Sequence, residues 1–180
     1  MHPRIVLLLV TGILLSACSL SSSGGQEPSL PLTMSIPAFG DGQNIPVRFT
    51  CDGEGVSPTL QIGSVPAATR SLALVIDDVN APSGHFVHWV VWDIAPQTKE
   101  ISEGAIPSGA MEGTTSAKKA GYVPPCPKPG SGPHRFVFSL YAINDGISLS
   151  FEATRAMLEQ QMKGKVLGIA KWTGVYERRE

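Results

Sequence analysis

Glycine and proline punctuate the chain almost without a break beyond residue 30, and that spacing is the strongest constraint on its fold. The 180 residues include 19 Gly and 15 Pro, spread along the sequence instead of gathered in one linker. Proline lacks a backbone donor and clashes inside a helix, while each helical glycine costs about 1 kcal/mol relative to alanine. Long helices are therefore disfavoured, and the short apolar segments left between turns predict a mainly β domain.

Several of those segments carry their own signature. Ile45, Val47 and Phe49 alternate with Pro46, Arg48 and Thr50, the pattern of a half-buried strand. Ser71 to Ile76 and Phe86 to Ile94 are nearly continuous apolar runs, which predicts central strands buried on both faces. Arg135 to Ile143 reads as another core strand, and Val166 to Tyr176 returns to strand character. One helix is expected, from about Ala153 to Lys163, where Ala153, Met157, Leu158 and Met162 recur at helical spacing and Gly164 supplies a stop. Its methionines are expected to fill the core. No internal repeat is visible, and one domain over 33–180 accounts for these segments.

The first residues follow a different logic. Met1-His2-Pro3-Arg4 precedes an apolar run from Ile5 to Leu15, and small residues then lead to Cys18. That order is the layout of a secretion signal, and the run is shorter than the roughly 20 residues a membrane-spanning helix needs. Leu15-Ser16-Ala17-Cys18 resembles the bacterial lipobox, which implies a leader over 1–17, lipidation of Cys18, and a Ser-, Gly- and Pro-rich tether over 18–32. The expected location is the cell envelope, with the chain facing the periplasm. Ser19 after the lipid cysteine resembles lipoproteins sorted to the outer membrane of a Gram-negative cell.

An exported chain meets an oxidising compartment, so Cys51 and Cys126 are expected to form a disulfide worth about 2 to 4 kcal/mol, with two independent thiols as the alternative. The balance of 14 basic and 15 acidic residues, with no basic cluster before the last few, argues against a nucleic-acid partner. The terminal Glu177-Arg178-Arg179-Glu180 reads as a solvated end.

Two histidines sit at strand positions beside Pro- and Gly-rich loops: His88 within Phe86-Val87-His88-Trp89-Val90, and His134 opening His134-Arg135-Phe136. In a regular strand His88 shares its face with Phe86 and Val90, and its imidazole then needs a partner, for which Asp78 is the candidate. A core histidine with satisfied hydrogen bonds is the alternative for either residue.

At these residues a family resemblance becomes specific. Asp77-Asp78-Val79-Asn80-Ala81-Pro82 resembles the Asp-Pro-Asp-Ala-Pro motif of the phosphatidylethanolamine-binding protein family, and His88-Trp89-Val90-Val91 its His-Trp strand. Gly121-Tyr122-Val123-Pro124-Pro125-Cys126-Pro127 followed by His134-Arg135-Phe136 resembles its second block. Thr50 to Pro58 and Gly174 to Arg178 are similar to the bacterial, Raf-kinase-inhibitor-like branch. The blocks occur in family order over residues 33–180.

The resemblance implies a β-sandwich-like fold of two antiparallel sheets with little helix, and a small pocket that accepts a phosphate-like anion or phospholipid headgroup. The pocket would be formed by Asp78, His88, Pro127 and His134, with Phe136 beside them. Two imidazole donors and loop N–H groups could hold an anion without a cationic cluster, and Asp78 could orient one ring. The chain departs from the family pattern at Val79, Asn80 and Phe136, and Lys128 stands where a second proline is common.

A non-catalytic binding or regulatory module is therefore expected, with no cofactor and no metal. A protein partner, such as a kinase or protease under inhibition, is the alternative. Enzyme readings are weaker. Asp78, His88 and His134 could ligate a metal but lack a demanding spacing, and His85 and His88 point to opposite faces of a strand. Ser83, Ser131 and Ser139 could supply a nucleophile, yet none sits in a G-x-S-x-G turn. Pro129 to Gly132 lacks the Gly-Lys-Ser/Thr ending of a phosphate-binding loop.

Overall fold

A strand apolar on both faces needs cover on both, and this requirement organises the molecule. The computed structural model describes residues 31–179. The leader, Cys18 and nearly all of the tether lie outside the described residues. In chain order the strands are β1 (Met34–Ser35), β2 (Gln43–Asn44), β3 (Leu60–Ile62), β4 (Ser71–Asp78) and β5 (Phe86–Ile94), then β6 (Glu100–Ile101), β7 (Met111–Glu112), β8 (His134–Ile143) and β9 (Val166–Tyr176), with helix α1 (Arg155–Met162) between the last two. A three-stranded sheet, β1-β3-β6, faces a six-stranded sheet ordered β2-β9-β8-β4-β5-β7. The expected two-sheet fold with little helix is present. Its pairings are antiparallel except for β2 against β9, which is parallel.

Leu72, Leu74, Ile76, Trp89, Val91, Phe138 and Leu140 face the small sheet and pack with Leu60, Ile62 and Ile101. On the opposite face of the large sheet, Ala73, Val75, Val90 and Trp92 pack with Leu158 and Met162 of α1. Every residue of β4 is buried, as a strand between two covering layers requires. The helix begins at a capping residue, Thr154, whose hydroxyl accepts from Met157 N, and ends before Gly164 at φ 76°. Of its two methionines, Met162 fills the core as expected, whereas Met157 is exposed.

The segment 45–50 differs from expectation. Val47–Phe49 forms a 3-10 turn, with the only nearby pairing at β2, Gln43–Asn44. Pro46 precedes the turn, at φ −56°, and it lacks the N–H that a ladder would use. Ile45 and Phe49, four residues apart, therefore point inward together, while Val47 between them is 54% exposed. Gly53 packs so tightly against this turn that a Cβ there would overlap the Val47 carbonyl.

The disulfide expected between Cys51 and Cys126 is formed, joining positions 75 residues apart. It ties the 3-10 segment to the Pro-rich loop after Tyr122, where Cys51 N also donates to the Pro125 carbonyl at 3.1 Å. The C-terminal tail is more engaged than a solvated end. Arg178 Nε donates to Asp52 Oδ1 at 2.9 Å, and Tyr176 Oη donates to Asp52 Oδ2 at 2.6 Å. These bonds, that of Tyr176 first, hold the Asp52 carboxyl below its ordinary pKa.

Candidate ligand-binding site

The two central hairpin strands and their neighbour decide which side chains meet. β4 lies between β5 and β8, with Asp78 opposite Phe86 on one side and opposite Phe136 on the other. Strand alternation sends Asp77 and Asp78 to opposite faces. Asp77 points toward α1, where Arg155 Nη1 lies 2.8 Å from its Oδ1, and burial raises its pKa despite that cation. Asp78 points toward the end of the sheet where the Pro-rich loop arrives.

His88 reaches the same place through an irregularity. Ile76 pairs with Trp89 but Asp77 pairs with Val87, so His88 is an extra residue, a β-bulge in β5. The bulge breaks the alternation expected of this strand. His88 keeps Phe86 as a neighbour, with ring centroids 4.8 Å apart, but Val90 lies on the opposite face, in the α1 layer. Phe136, fully buried, also meets the His88 ring, edge-on at 5.1 Å. It thus backs the imidazole and is not itself on the cavity wall.

The partners of the two imidazoles also differ from expectation. His88 Nδ1 donates to the Val123 carbonyl at 2.7 Å, and Val123 N donates to the His88 carbonyl at 2.9 Å. Asp78 serves His134 instead: its Oδ2 lies 2.6 Å from His134 Nδ1, while its Oδ1 accepts from Asn80 N at 2.8 Å. Both members of the Asp78–His134 pair are buried. Burial lowers the His88 pKa, the largest effect on it, so the ring is neutral at neutral pH. A carbonyl can only accept, so the one proton of neutral His88 sits on Nδ1. Its Nε2 is then an acceptor, so His88 does not supply one of the two expected imidazole donors.

Asn80, a departure from the family pattern, holds the corner: its Oδ1 accepts from Arg135 N at 3.0 Å. Val79 N donates to the Arg135 carbonyl at 3.0 Å. These two bonds fix the start of β8, and with it His134, beside Asp78.

The cavity they share, open at one side, has a volume of about 220 Å³. Asp78, His88 and His134 line it together with Lys128 and Ser131, and the rest of the wall is apolar, from Ala81, Pro82, Phe86 and the loop Val123, Pro124, Cys126 and Pro127. Of the residues the sequence singled out, Asp78, His88, Pro127 and His134 therefore share one cavity. Larger hollows of about 500 Å³ lie around Tyr176 and around Gln61, and neither gathers a histidine. Among the described residues no group of three His, Cys, Asp or Glu side chains is disposed to hold a metal ion.

Ser131 is the wall residue that its sequence context gave little reason to prefer over Ser83 or Ser139. Its Oγ lies 3.1 Å from His134 Nε2 and 2.7 Å from the Lys128 carbonyl. The available signal is a serine three residues before the histidine, separated by Gly132-Pro133, a sequence that turns the chain back on itself.

Comparison with known proteins agrees with the fold. Residues 35–177 match the family model for phosphatidylethanolamine-binding protein. A UPF0098 protein of Methanothermobacter thermautotrophicus is 40% identical over 152 residues, covering 82% of this chain and 99% of that one. The lipoprotein LppC of Mycobacterium tuberculosis, so named, is 39% identical over 147 residues, covering 82% of this chain and 73% of LppC. Among solved structures, a phosphatidylethanolamine-binding protein homologue from Chlamydia trachomatis superposes with a TM-score of 0.78 at 32% identity, covering 82% of this chain and 98% of that one. Escherichia coli YbcL gives the same TM-score, 0.78, at 23% identity over 83% of this chain and all of its own, a likeness of fold.

Proposed function

Because the chain belongs to the phosphatidylethanolamine-binding protein family, we propose that it is an envelope lipoprotein whose cavity binds a phosphate-like anion, free or as a phospholipid headgroup. The observation that carries this reading is the meeting of His88, His134 and Asp78, distant in sequence, around one cavity of about 220 Å³. Lys128 on the wall supplies positive charge. The neutral His88 Nε2 favours an anion that still carries a proton, as hydrogen phosphate does, because the ligand's hydroxyl can donate to it. The preformed wall, stiffened by Pro82, Pro124 and Pro127, leaves little freedom to lose on binding. The pocket acts as a binding or regulatory module, and control of a protein partner is the reading to take up if it binds no anion.

Thermal shift tests the pocket. Inorganic phosphate and glycerophosphoethanolamine, added separately, are expected to raise the melting temperature of the wild type and to leave that of His134→Ala where it is. Equal shifts in both proteins would place the anion elsewhere, and no shift in either would remove the anion reading. The contrast between the two ligands distinguishes free anion from headgroup.

The anchor belongs to the same proposal. It divides the chain into the leader 1–17, the lipidated tether 18–32 and the domain 33–180, with a periplasm-facing, outer-membrane position. The name of LppC and the sequence ending at Cys18 support it. In a bacterial host the full chain is expected in the membrane fraction with a diacylglyceryl mass at Cys18, and Cys18→Ser is expected to lose both. An unmodified Cys18 in a secreted wild-type protein would reject the anchor.

A further inference from the structure

Anion binding leaves one hydrogen-bonded chain in the pocket unexplained. Ser131 Oγ lies 3.1 Å from His134 Nε2, and His134 Nδ1 lies 2.6 Å from Asp78 Oδ2. Hydroxyl, imidazole and carboxylate in this order are the parts of a serine nucleophile, its base and the group that orients the base. The exposure of each member suits its part. Ser131 is exposed at the cavity rim, where a bound molecule can reach it, while His134 and Asp78 are each 5% exposed. A buried carboxylate accepting from Nδ1–H directs the other ring nitrogen, Nε2, at the hydroxyl, and an unprotonated Nε2 offers it a lone pair.

The local chain explains how the serine arrives there. Gly130 and Gly132 flank it with φ of 72° and 79°. The turn is held by Ser131 N donating to the Lys128 carbonyl at 3.1 Å and Gly130 N donating to the Arg178 carbonyl at 3.3 Å. Two left-handed residues around one serine fold the loop back on His134 without the strand-to-helix turn by which such nucleophiles are recognised in sequence. The hydroxyl proton has two acceptors, Lys128 O and His134 Nε2, and only the second arrangement is reactive.

We propose that Ser131 is a nucleophile that accepts an acyl group from a small carboxylic ester bound in this cavity. Ser131 Oγ forms a bond to the ester carbonyl carbon as its proton passes to His134 Nε2, and the carbonyl π pair moves onto oxygen. Collapse of that intermediate breaks the carbon–oxygen bond to the alcohol, which leaves with the proton from His134. Water, giving its proton to His134, then releases the carboxylic acid and restores Ser131. The intermediate is tetrahedral and negatively charged, as a phosphate is, and Lys128 lines the space where that charge develops. The apolar wall of Ala81, Pro82, Phe86, Val123 and Pro124 takes the acyl chain, and the volume of about 220 Å³ limits it to a short one. This activity goes beyond anion binding, which needs no covalent step.

The test uses p-nitrophenyl acetate and butyrate together with a fluorophosphonate probe, on the folded wild type, Ser131→Ala and His134→Gln. Wild type is expected to release nitrophenolate above the buffer rate and to take one fluorophosphonate, mapped by peptide mass to Ser131. Ser131→Ala is expected to release at the buffer rate and to take no probe, and His134→Gln to lose release while still unfolding in one cooperative transition, at a lower temperature. Release by Ser131→Ala equal to wild type, an adduct on another residue, or a wild type inert to both reagents would each overturn the proposal. Ser131 is exposed, so its alanine variant tests the chemistry and not the fold.

Discussion

Removing the Cys51–Cys126 bridge is expected to lower the stability of the domain by about 4.5 kcal/mol, the loop-entropy value for cross-linked positions 75 residues apart. In a domain of this size that corresponds to a fall of roughly 10 °C in melting temperature. The double variant Cys51→Ala, Cys126→Ala, compared with wild type by urea denaturation and calorimetry, provides the measurement, and wild type in reductant should behave alike. The effect extends to the pocket. Cys126 lies on its wall and precedes Pro127, Lys128 and Ser131, so freeing the bridge loosens the loop that supplies that side. The phosphate-induced shift is therefore expected to shrink along with the stability. A double variant that melts with wild type would mean that the Cys51 N bond to Pro125 and the Arg178 contacts already hold the loop.

The sheet was legible where burial alone dictates sequence. β4, β5 and β8 are long strands apolar enough to be read to within two residues of their ends, because a strand covered on both faces carries few polar residues, and β9 is read at its own bounds, Val166–Tyr176. The β1, β2, β6 and β7 strands are two residues each, and pairing with a neighbour, not any local pattern, makes them strands. The 45–50 segment misled for a specific reason. Its apolar residues alternate, yet Pro46 starts a tight turn that brings Ile45 and Phe49 to one side at a spacing of four.

The site shows the same division. The residue types and their loops identified Asp78, His88, Pro127 and His134 as a set, but nothing in one dimension revealed that β4 lies between β5 and β8. With Asp78 flanked by both histidine-bearing strands, either imidazole was an available partner. The choice fell to His134 because the bulge at His88 turns its Nδ1 toward the Val123 carbonyl. A bulge is a property of strand pairing, and the strand sequence Phe86-Val87-His88-Trp89 reads as regular without it. Ser131 was obscure for a related reason: its role depends on the fold of a Gly-Pro turn whose residue types fit any loop.

Asp78→Ala is expected to be the most damaging single change at the site, costing about 3 kcal/mol of stability and eliminating the phosphate response together. The carboxylate satisfies two donors, His134 Nδ1 and Asn80 N, in surroundings where its own side chain is nearly inaccessible. Deleting it leaves a buried imidazole N–H without an acceptor, and the cost of that orphan exceeds the net value of the bond that was lost. Asp78→Asn separates the two roles. An amide oxygen can still accept from one of the donors, but its NH2 then faces the other, so stability should fall by less while His134 loses its defined orientation. The double variant Asp78→Ala, His134→Ala should recover part of the loss, because no buried donor remains unpaired, and a double-mutant cycle by urea denaturation reads that coupling directly. Additive losses in the cycle would mean that the 2.6 Å contact contributes nothing beyond packing, and both the anion pocket and the serine chain that depend on an oriented His134 would lose their common support.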